Sequence, residues 1–549
     1  MSGTGRLLGR GQRRACGFVA DQCHRDGRRH GLPLEFTGRQ RADEFRPGDV
    51  RFRGVPLPAG VGRRHRRVGR GNGDRRFRGS AAPAHLRRGV DRRRRGHRVR
   101  RGTAGRHHSC GGPTVRRDIV FAWPPGQLTT DPRLAYNGIS KTYVRQVFES
   151  LVDIDPVTAQ LRPWLASSWR RPDPLTVEVT VPPGRHFSDG RPLTAELVRN
   201  SFRDIMTDLA DATPLPAAVA ALTGLSAVES RGEKVTFRFE RHNAAFLHSL
   251  AGVNLAVSKP STGDMRLGTG SWVPAESGCL VDGRHRLVFD ARDDGSAAVR
   301  AGSTDGFVTA EIHNPGISYG LCPNASRGPL ADHRIRRALS LLIDRERLRP
   351  ILQTCGYTVA GSVLTPTALH YLDCSDQLRH EPAAAHRLLD AAAADGLRFE
   401  VVFNSSFSPV DAELLSAVAG QWADHGIELV LHDVDFGELR SRQQTGDYDF
   451  RFFYYPAIDP DALRYQFAVD QRNAMCRVDR DRLDDLLDAQ LHCPEPAERR
   501  KLVHDIQSRI IHDGLWLPIG NVRTVVSHRP DTVPRLALDA EGLARFTHL

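Results

Sequence analysis

Residues 184–202, GRHFSDGRPLTAELVRNSF, place a tight polar turn directly before a helix. Asp189 and Gly190 form a turn dipeptide, because glycine tolerates positive φ and an aspartate side chain hydrogen-bonds its own backbone. Thr194 stands where an N-cap is needed, and Glu196 lies near the positive end of the helix dipole. The stretch therefore predicts a turn followed by a capped helix.

The residues on either side of that turn predict a strand–turn–helix unit. Val198, Phe202 and Ile205 recur at helical spacing, which predicts one buried stripe on the helix. Upstream, apolar residues alternate over 175–181, as expected of a half-buried strand. This unit is well formed, but its local chemistry alone identifies no function.

Helical and strand patterns alternate farther along the chain. Such alternation favours the α/β class with largely parallel sheets. Helices are predicted over 332–352, 381–396 and 410–426, and strands over 397–406 and 427–435.

Charge divides the 549 residues into two parts. Residues 1–117 hold 32 arginines, no lysine and 8 acidic residues, a net charge of +24. Residues 118–549 hold 46 basic and 56 acidic residues, a net charge of −10, so the whole-chain value of +14 describes neither part. The first part has few apolar residues and no sustained period, so it cannot bury enough surface to offset its ordering entropy. We expect a disordered Arg/Gly-rich segment before the folded part.

Three interpretations of this basic segment compete. It is a disordered arm that binds nucleic acid through phosphate contacts, a degenerate DNA-binding domain, or a stretch included by a misplaced start. We favour the misplaced start, because many arginines without a lysine indicate GC-rich coding bias more than selection for charge.

Targeting and metal signals are weak. No basic segment followed by an apolar run near Met1 indicates a secretory signal, and no run of about 18 apolar residues predicts a spanning helix. The nine cysteines form no CxxC pair, and the histidines of the folded part lack metal-ligand spacing, so we expect no metal or cofactor. The cysteines of the folded part are either buried free thiols or, if the protein is exported, form disulfides such as Cys355–Cys374 or Cys476–Cys493; the sequence does not assign the pairing.

No constellation predicts catalysis. The sequence GISYG at 316–320 matches the pattern around a nucleophilic serine. The following residues read as a loop, whereas a nucleophile elbow needs a helix there. Phosphate-loop, HExxH, EF-hand and dinucleotide-binding patterns are absent. We therefore expect a protein that is not an enzyme.

Seven motifs, taken in order, resemble those of the family 5 extracellular solute-binding proteins, the ABC-transporter receptors for peptides, nickel and related ligands. The segment FSDGRPLTAELVRNSF resembles the family's F-S-D-G-x-P-L-T-A-x-D-V, and LRPWLASSW is similar to its L-x-P-x-L-A-x-S-W. The other matches are VRQVFESLVDIDP, GTGSW, DHRIRRALSLLIDRERL, GIELVLHDVDFGEL with GDYDF, and IQSRIIHDGLWLPIGN.

The resemblance covers residues 118–549 and implies a two-lobed, periplasmic-binding-protein-like clamshell (type II) of the α/β class with mixed sheets. Lobe I would take about 118–310 plus 516–549 and lobe II about 320–510, with crossings near 308–320 and 515–521. In such folds a ligand lies between the lobes and drives hinge closure. The opening stretch would then be part of the framework of the first lobe.

The function implied is the substrate-binding component of an ABC transporter. It would capture an oligopeptide-like or other small polar solute and deliver it to the permease membrane subunits. We expect a monomer in the periplasm or cell envelope, although no signal peptide is visible.

Ligand contacts are also implied by the resemblance. In peptide-binding members an aspartate before a D-P-D-like turn holds the ligand's amino terminus, and this position falls on Pro456, which carries no charge. Asp459 or Asp461 can substitute, although both also suit a turn beside a proline. The predicted ligand-binding residues are Trp123, Tyr136, Asn404, Tyr454, Tyr455, Asp459 and Asp461.

The alternative is a ligand-sensing transcriptional regulator that carries a solute-binding domain. Some bacterial regulators place a winged-helix domain before this domain, where residues 1–117 stand here. That segment shows neither helix-turn-helix periodicity nor a recognition helix, so nucleic-acid binding is not expected.

Overall fold

A computed structural model gives the fold. All the residues that it describes belong to one compact unit. They are residues 117–122, 128–208, 222–261, 265–276, 278–290, 297–301, 304–312, 317–405, 408, 410–456, 458–468 and 483–546.

The strands of the described residues are numbered in chain order. They are β1 Arg117–Ala122, β2 Val152–Ile154, β3 Leu161–Pro163, β4 Ser168–Asp173, β5 Thr176–Thr180, β6 Leu225–Arg231, β7 Lys234–Phe239, β8 Lys259–Pro260, β9 Arg266–Leu267, β10 Val273–Pro274, β11 Cys279–Val281, β12 His285–Asp290, β13 Val299–Ala301, β14 Val308–Ile312, β15 Ile317–Pro323, β16 Thr358–Val359, β17 Arg398–Phe403, β18 Glu428–Asp433, β19 Phe450–Pro456, β20 Leu517–Asn521, β21 Thr524–His528, β22 Ala537–Leu538 and β23 Ala544–Arg545.

The helices of the same residues are numbered likewise. They are α1 Gly138–Val147, α2 Ala195–Asp208, α3 Phe246–Ser249, α4 His333–Leu341, α5 Arg345–Thr354, α6 Pro382–Ala391, α7 Asp411–Ala423, α8 Phe436–Thr445, α9 Asp461–Phe467, α10 Leu483–His492 and α11 Pro496–His512.

A seven-stranded sheet has the order β10-β11-β12-β1-β13-β21-β14. Strand β1 runs parallel to β12 and β13, and the other pairs are antiparallel. Helix α1 packs its buried residues, such as Tyr143 and Val144, into the same apolar cluster as the strands. The GTGSW segment passes close to the end of this helix: a Cβ on Gly268 would lie 2.0 Å from the carbonyl oxygen of Val147, so only glycine fits there.

The opening stretch belongs to a four-stranded antiparallel sheet, β4-β5-β7-β6, and its helix α2. Val198, Phe202 and Ile205 are fully buried, which confirms the predicted stripe. The Thr194 hydroxyl accepts a hydrogen bond from the Leu197 backbone at 3.3 Å, as expected of an N-cap. The local sequence therefore specifies this unit as predicted.

The turn before α2 has a structural role. Gly190 has a φ of +82°, and Asp189 accepts from the Arg191 backbone at 3.2 Å, which is the predicted turn chemistry. The same carboxylate binds Lys259 at 2.5 Å, and Phe187 is buried in the core of this sheet. The turn thus ties α2 to the β8–β9 hairpin.

A mixed six-stranded sheet has the order β16-β20-β15-β19-β17-β18. Strands β17, β18 and β19 run parallel to one another, whereas β15 is antiparallel to β19 and β20. Helices α4 to α7 pack against one face of this sheet around Trp422. A second apolar cluster, around Trp516, joins α9, α10 and α11 to the strands.

The chain passes twice between the seven-stranded and six-stranded sheets. The first passage lies between β14 and β15, that is between residues 312 and 317, inside the predicted crossing of 308–320. The second lies between β20 and β21, residues 521 to 524, because β20 pairs with β15 and β16. Residues 517–521 were expected in the first lobe, but their backbone bonds lie in the six-stranded sheet.

Candidate functional site

A cavity of about 160 Å³ lies between the elements around the seven- and four-stranded sheets and a segment next to the six-stranded sheet. One wall comes from α1, β2, the segment after α3 and residues 539–541. The other wall comes from residues 458–465, which follow β19 of the six-stranded sheet. Both predicted aspartates, Asp459 and Asp461, line this cavity. The structure therefore places two of the predicted ligand residues at a gap between sheets that are widely separated in sequence.

Asp459 contacts Arg499 on its own side and the ring of His248 across the cavity. Its carboxylate oxygens accept from Arg499 at 2.7 and 3.2 Å and lie 3.4 Å from the ring of His248. Burial alone would raise the pKa of Asp459, but Arg499 and then His248 outweigh it and lower that pKa. The carboxylate is therefore ionised and already paired.

Asp461 is the first residue of α9, and its carboxylate is likewise paired. Arg464 donates to its two oxygens at 2.8 and 2.9 Å, and Gln490 donates at 3.0 Å. These contacts fix α9 against α10 and leave little of the carboxylate exposed to the cavity.

The opposite wall carries three more ion pairs. Arg145 contacts Asp539 at 2.9 Å, and Lys141 contacts Glu541 at 3.0 Å. Asp153 is bound by Arg545 at 2.6 Å. Because each of these acids faces a basic side chain, the wall is strongly polar but carries little uncompensated charge.

Tyr454 and Tyr455 lie on opposite faces of β19, because successive side chains of a strand alternate. Tyr454 is half-buried, and its ring lies 6.4 Å from the ring of Tyr319 on β15. Tyr455 is buried, donates its hydroxyl to the carbonyl oxygen of Val363 at 2.8 Å and packs on Trp516. The strand thus gives Tyr455 a core position, although it was predicted with its neighbour as a ligand contact.

Asn404 follows β17 and ties two strand ends together. Its side-chain amide donates to the Val434 carbonyl oxygen at 2.6 Å, just after β18. The side chain is 8% exposed. The contact gives the residue a structural role at the carboxyl ends of β17 and β18.

Tyr136, which precedes α1, contacts helix α8 next to the six-stranded sheet. Its ring stacks on Phe436, with centroids 5.7 Å apart and planes 14° apart, and Arg440 lies over the same ring at 5.5 Å. Phe436 begins α8, beside the six-stranded sheet, whereas Tyr136 precedes α1. Trp123, the remaining predicted contact, lies outside the described residues.

Sequence reasoning missed several residues that shape this region. Arg499 and His248 bind Asp459 from other elements, and Phe436 and Arg440 meet Tyr136. The sequence carried one usable signal, since Phe436 follows a predicted strand of the six-stranded sheet, as Asn404 does. Arg499 lies on a helix that reads as an ordinary amphipathic element and gives no such signal.

The serine of GISYG lies inside β15 and is buried, where it pairs with Asn521 of β20. A nucleophile elbow requires a strand-to-helix turn at the serine, so this position does not have that geometry. Cys355 and Cys374 form no disulfide, and Cys476 lies outside the described residues.

The family described as "Bacterial extracellular solute-binding proteins, family 5 Middle" matches residues 160–297 and 295–474, more than half of the chain. The chain belongs to this family. The predicted family, its α/β fold and its two-lobed architecture are thereby confirmed. We call the seven- and four-stranded sheets with their helices lobe I, and the six-stranded sheet with its helices lobe II.

Two curated proteins illustrate the similarity. The "Uncharacterized protein YhjP" of Bacillus subtilis (strain 168) is 24% identical over 470 residues, which cover 78% of this chain and 76% of that protein. The "Probable di/tripeptide-binding protein 5" of Pseudomonas aeruginosa (strain UCBPP-PA14) is 26% identical over 244 residues. That alignment covers 43% of this chain and 44% of the relative, so the chain spans less than half of it.

A solved structure shows the same fold. The dipeptide binding protein from Pseudoalteromonas sp. SM9913, in complex with Met-Leu, superposes with a TM-score of 0.68. The alignment covers 79% of this chain and 99% of that chain at 17% identity.

Membrane and metal features of the described residues are simple. No helix among them combines the length and the apolar character needed to cross a bilayer. The same residues contain no group of three or more His, Cys, Asp or Glu side chains placed to hold a metal ion.

Proposed function

We propose that this protein binds an oligopeptide-like or other small polar solute between lobes I and II and delivers it to the membrane subunits of an ABC transporter. Family membership supports the solute-binding role, and the named relatives include a protein described as di/tripeptide-binding. The observation that carries the proposal is the cavity between the two lobes, lined from both sides by polar side chains. Two chain passages connect the lobes, as a hinge requires.

Lobe boundaries follow from the sheet pairing. We propose that lobe I takes 117–312 and 524–546 and that lobe II takes 317–521. The protein would act in the periplasm or cell envelope, because the family is described as extracellular. We also propose that it acts as a monomer.

Tyr454 and Tyr136 are proposed to border the bound solute, since both are at least partly exposed. Tyr136 contacts Phe436 of lobe II, and Tyr454 pairs with Tyr319 of β15, close to the first passage between the lobes. Asp459 and Asp461 line the cavity, but Arg499 and Arg464 already neutralise them. Their proposed role is to shape the cavity wall.

Native mass spectrometry of the purified full chain tests the proposal first, because a co-purified solute would identify the ligand class. Thermal unfolding with a panel of di-, tri- and pentapeptides, combined with X-ray scattering, then tests binding and closure. We expect a bound peptide to raise the unfolding temperature and to reduce the radius of gyration. A panel that changes neither quantity, together with a purified protein free of solute, would overturn the proposal.

The placement of the solute is tested with a matched pair of variants. Tyr454→Ala should weaken binding of the peptide found by that panel about tenfold or more. Tyr371→Ala removes a half-buried tyrosine packed on the cluster that contains Tyr455, on the opposite face of β19 from Tyr454, and should leave the affinity unchanged. Equal affinities for both variants would show that Tyr454 does not border the ligand.

The regulator alternative gains no support from the family match or from the relatives named above. Retention of the full chain on DNA, together with its recovery from the cytoplasm, would reopen it. Neighbouring permease and ATPase genes would favour transport instead.

A further inference from the structure

We propose that Asp411, with Tyr319, Tyr357 and Tyr454 beside it, binds a positively charged nitrogen group of the solute, an ammonium or a guanidinium. The inference rests on the proposed solute-binding function and names the chemistry that this edge of the six-stranded sheet, next to the cavity described above but not part of its lining, recognises.

Asp411 lies at the edge of the six-stranded sheet that faces lobe I. It is the first residue of α7, which follows β17, and the carboxyl ends of the parallel strands β17, β18 and β19 share one edge. Phe436 follows β18 at that edge and stacks on Tyr136 of lobe I. In open α/β sheets, ligands bind outside the carboxyl ends of the strands.

The carboxyl group of Asp411 is buried, with 3% of the residue exposed, and its hydrogen-bond partners are neutral. The Tyr319 hydroxyl donates to Oδ1, and Ser408 also donates to the carboxylate. No ion pair between described residues includes Asp411, whereas the buried Asp459 and Asp461 each contact an arginine.

The surrounding charges do not supply the missing cation. Asp433, at the end of β18, is a second acid near Asp411 and disfavours its ionised form. Arg523, which packs against Gly356 next to Tyr357, is ion-paired with Glu311. Burial, the largest cause, raises the pKa of Asp411 to about 7. Near neutral pH, therefore, a cation could bind the carboxylate and displace its proton.

Three tyrosines form the rest of the site. The ring of Tyr319 lies 6.0 Å from that of Tyr357 and 6.4 Å from that of Tyr454, at angles of 73° and 42°. Tyr357 and Tyr454 are both half-buried. Aromatic faces attract ammonium and guanidinium groups, most strongly where water is excluded. A buried carboxylate next to several aromatic rings is thus suited to a cationic group and unsuited to a carboxylate.

The test compares probes with and without a positively charged nitrogen group. Tri-alanine, N-acetyl-tri-alanine, N-acetyl-Ala-Lys-Ala and putrescine are titrated into the full chain by calorimetry at pH 7.5. Probes with a free ammonium group should bind at least tenfold more tightly than N-acetyl-tri-alanine. Preference for tri-alanine over N-acetyl-Ala-Lys-Ala would assign the site to a peptide amino terminus, and the reverse to a basic side chain. Tight binding of putrescine would assign it to a free amine.

Two variants assign the effect to Asp411. Asp411→Asn, which keeps the shape of the side chain, should abolish the preference for charged probes. Asp433→Asn removes the nearby exposed acid and should keep that preference. Titrations of the wild type in buffers of different ionisation enthalpy should show proton release on binding near pH 7, and Asp411→Asn should show none.

The outcomes separate the two proposals. Equal affinity of wild type for N-acetylated and free probes would overturn the Asp411 site and leave solute binding intact. A charge preference that persists in Asp411→Asn would also overturn it. If no probe, charged or neutral, binds the wild type, the result would count against the solute-binding function and would therefore also overturn the Asp411 site.

Discussion

Asp459 and Asp411 both carry largely buried carboxyl groups beyond the carboxyl end of a strand in the same sheet, yet their pKa values are shifted in opposite directions. Asp459 follows β19, and Arg499 and His248 keep its pKa below the usual range despite burial. Asp411 follows β17, has only hydroxyl partners, and burial raises its pKa to about 7. Similar positions on one sheet thus give one acid that is ionised and bound to an arginine and one that is partly protonated and bound only to hydroxyl groups.

The difference indicates which acids hold the fold and which are available to a ligand. A buried charge without a partner is costly, so an acid that stabilises the fold is found beside a cation. The cavity wall follows this rule at Asp459, Asp461 and Asp539. Asp411 departs from it at the lobe-facing edge, and local departures from favourable energetics concentrate at functional sites.

The largest expected effect comes from removing Asp459. Asp459→Ala leaves Arg499 buried without its partner, so we expect the free energy of unfolding to fall by about 3 to 5 kcal/mol. Urea unfolding followed by circular dichroism measures this loss. The matched control is Asp488→Ala, which breaks an exposed contact with Arg241 at 2.8 Å. Equal losses in the two variants would show that the ion pair between Asp459 and Arg499 contributes no more to the free energy of unfolding than an exposed pair does.

The second effect is a pH dependence of stability at Asp411. Its pKa in the folded protein is raised to about 7, above the unfolded value of about 3.9, so the wild type loses stability from about pH 4 to pH 7. Asp411→Asn does not titrate and should gain stability relative to wild type over this window, by up to about 4 kcal/mol at pH 8. Urea unfolding at pH 4.5 and pH 8 measures the difference. If the free energy of unfolding depends on pH in the same way in the wild type and in Asp411→Asn, the pKa of Asp411 is not raised and the contrast with Asp459 is wrong.

The third effect concerns the contact between Tyr136 and Phe436. A double-mutant cycle with alanine at both positions should give a coupling energy of about 0.5 to 1.5 kcal/mol, as measured for stacked aromatic pairs. X-ray scattering should also show a larger radius of gyration for each variant without ligand. Leu134→Ala is the control, because Leu134 is as exposed as Tyr136 and precedes the same helix. Coupling between Leu134 and Phe436 of the same size would show that stacking is not the cause.

The smallest effect is expected at the exposed pair between Arg241 and Asp488, which also joins the lobes. About half of each side chain is exposed, so the coupling energy should stay below about 1 kcal/mol. It should vanish at 1 M salt, where the screening length is about 3 Å. Coupling that survives high salt would indicate a stronger lobe contact than exposure allows.

Local patterns predicted the strand–turn–helix unit well and failed where the chain changes direction. The apolar spacing of Tyr143, Val147, Leu151 and Ile154 is typical of one helical face, but α1 ends at Val147 and Ile154 lies in β2. Val152 to Ile154 pair with β3, and this pairing outweighs the helical spacing. The same dependence on pairing placed residues 517–521 in lobe II.

The candidate site could be predicted only in part. Sequence reasoning named the two aspartates that line the cavity, because they follow a recognisable strand, and it named Tyr454 near the end of that strand as a ligand contact, which stays a prediction. It could not separate Tyr454 from Tyr455, since the face of each residue depends on how β19 sits in its sheet. It also passed over Asp411, which reads as an ordinary acid in the first turn of a helix.

The sequence by itself determined the family, the α/β class, the capped helix α2 and the division between a basic segment and an acidic folded part. The family follows from the resemblance of seven motifs, and the other features depend on composition and on contacts between near neighbours in the chain. Tertiary structure alone decided which partner each buried acid has and whether the acid is ionised. The partners of Asp459 and Asp411, Arg499 and Tyr319, lie 40 and 92 positions away, and a carboxyl group's charge depends on what surrounds it after folding.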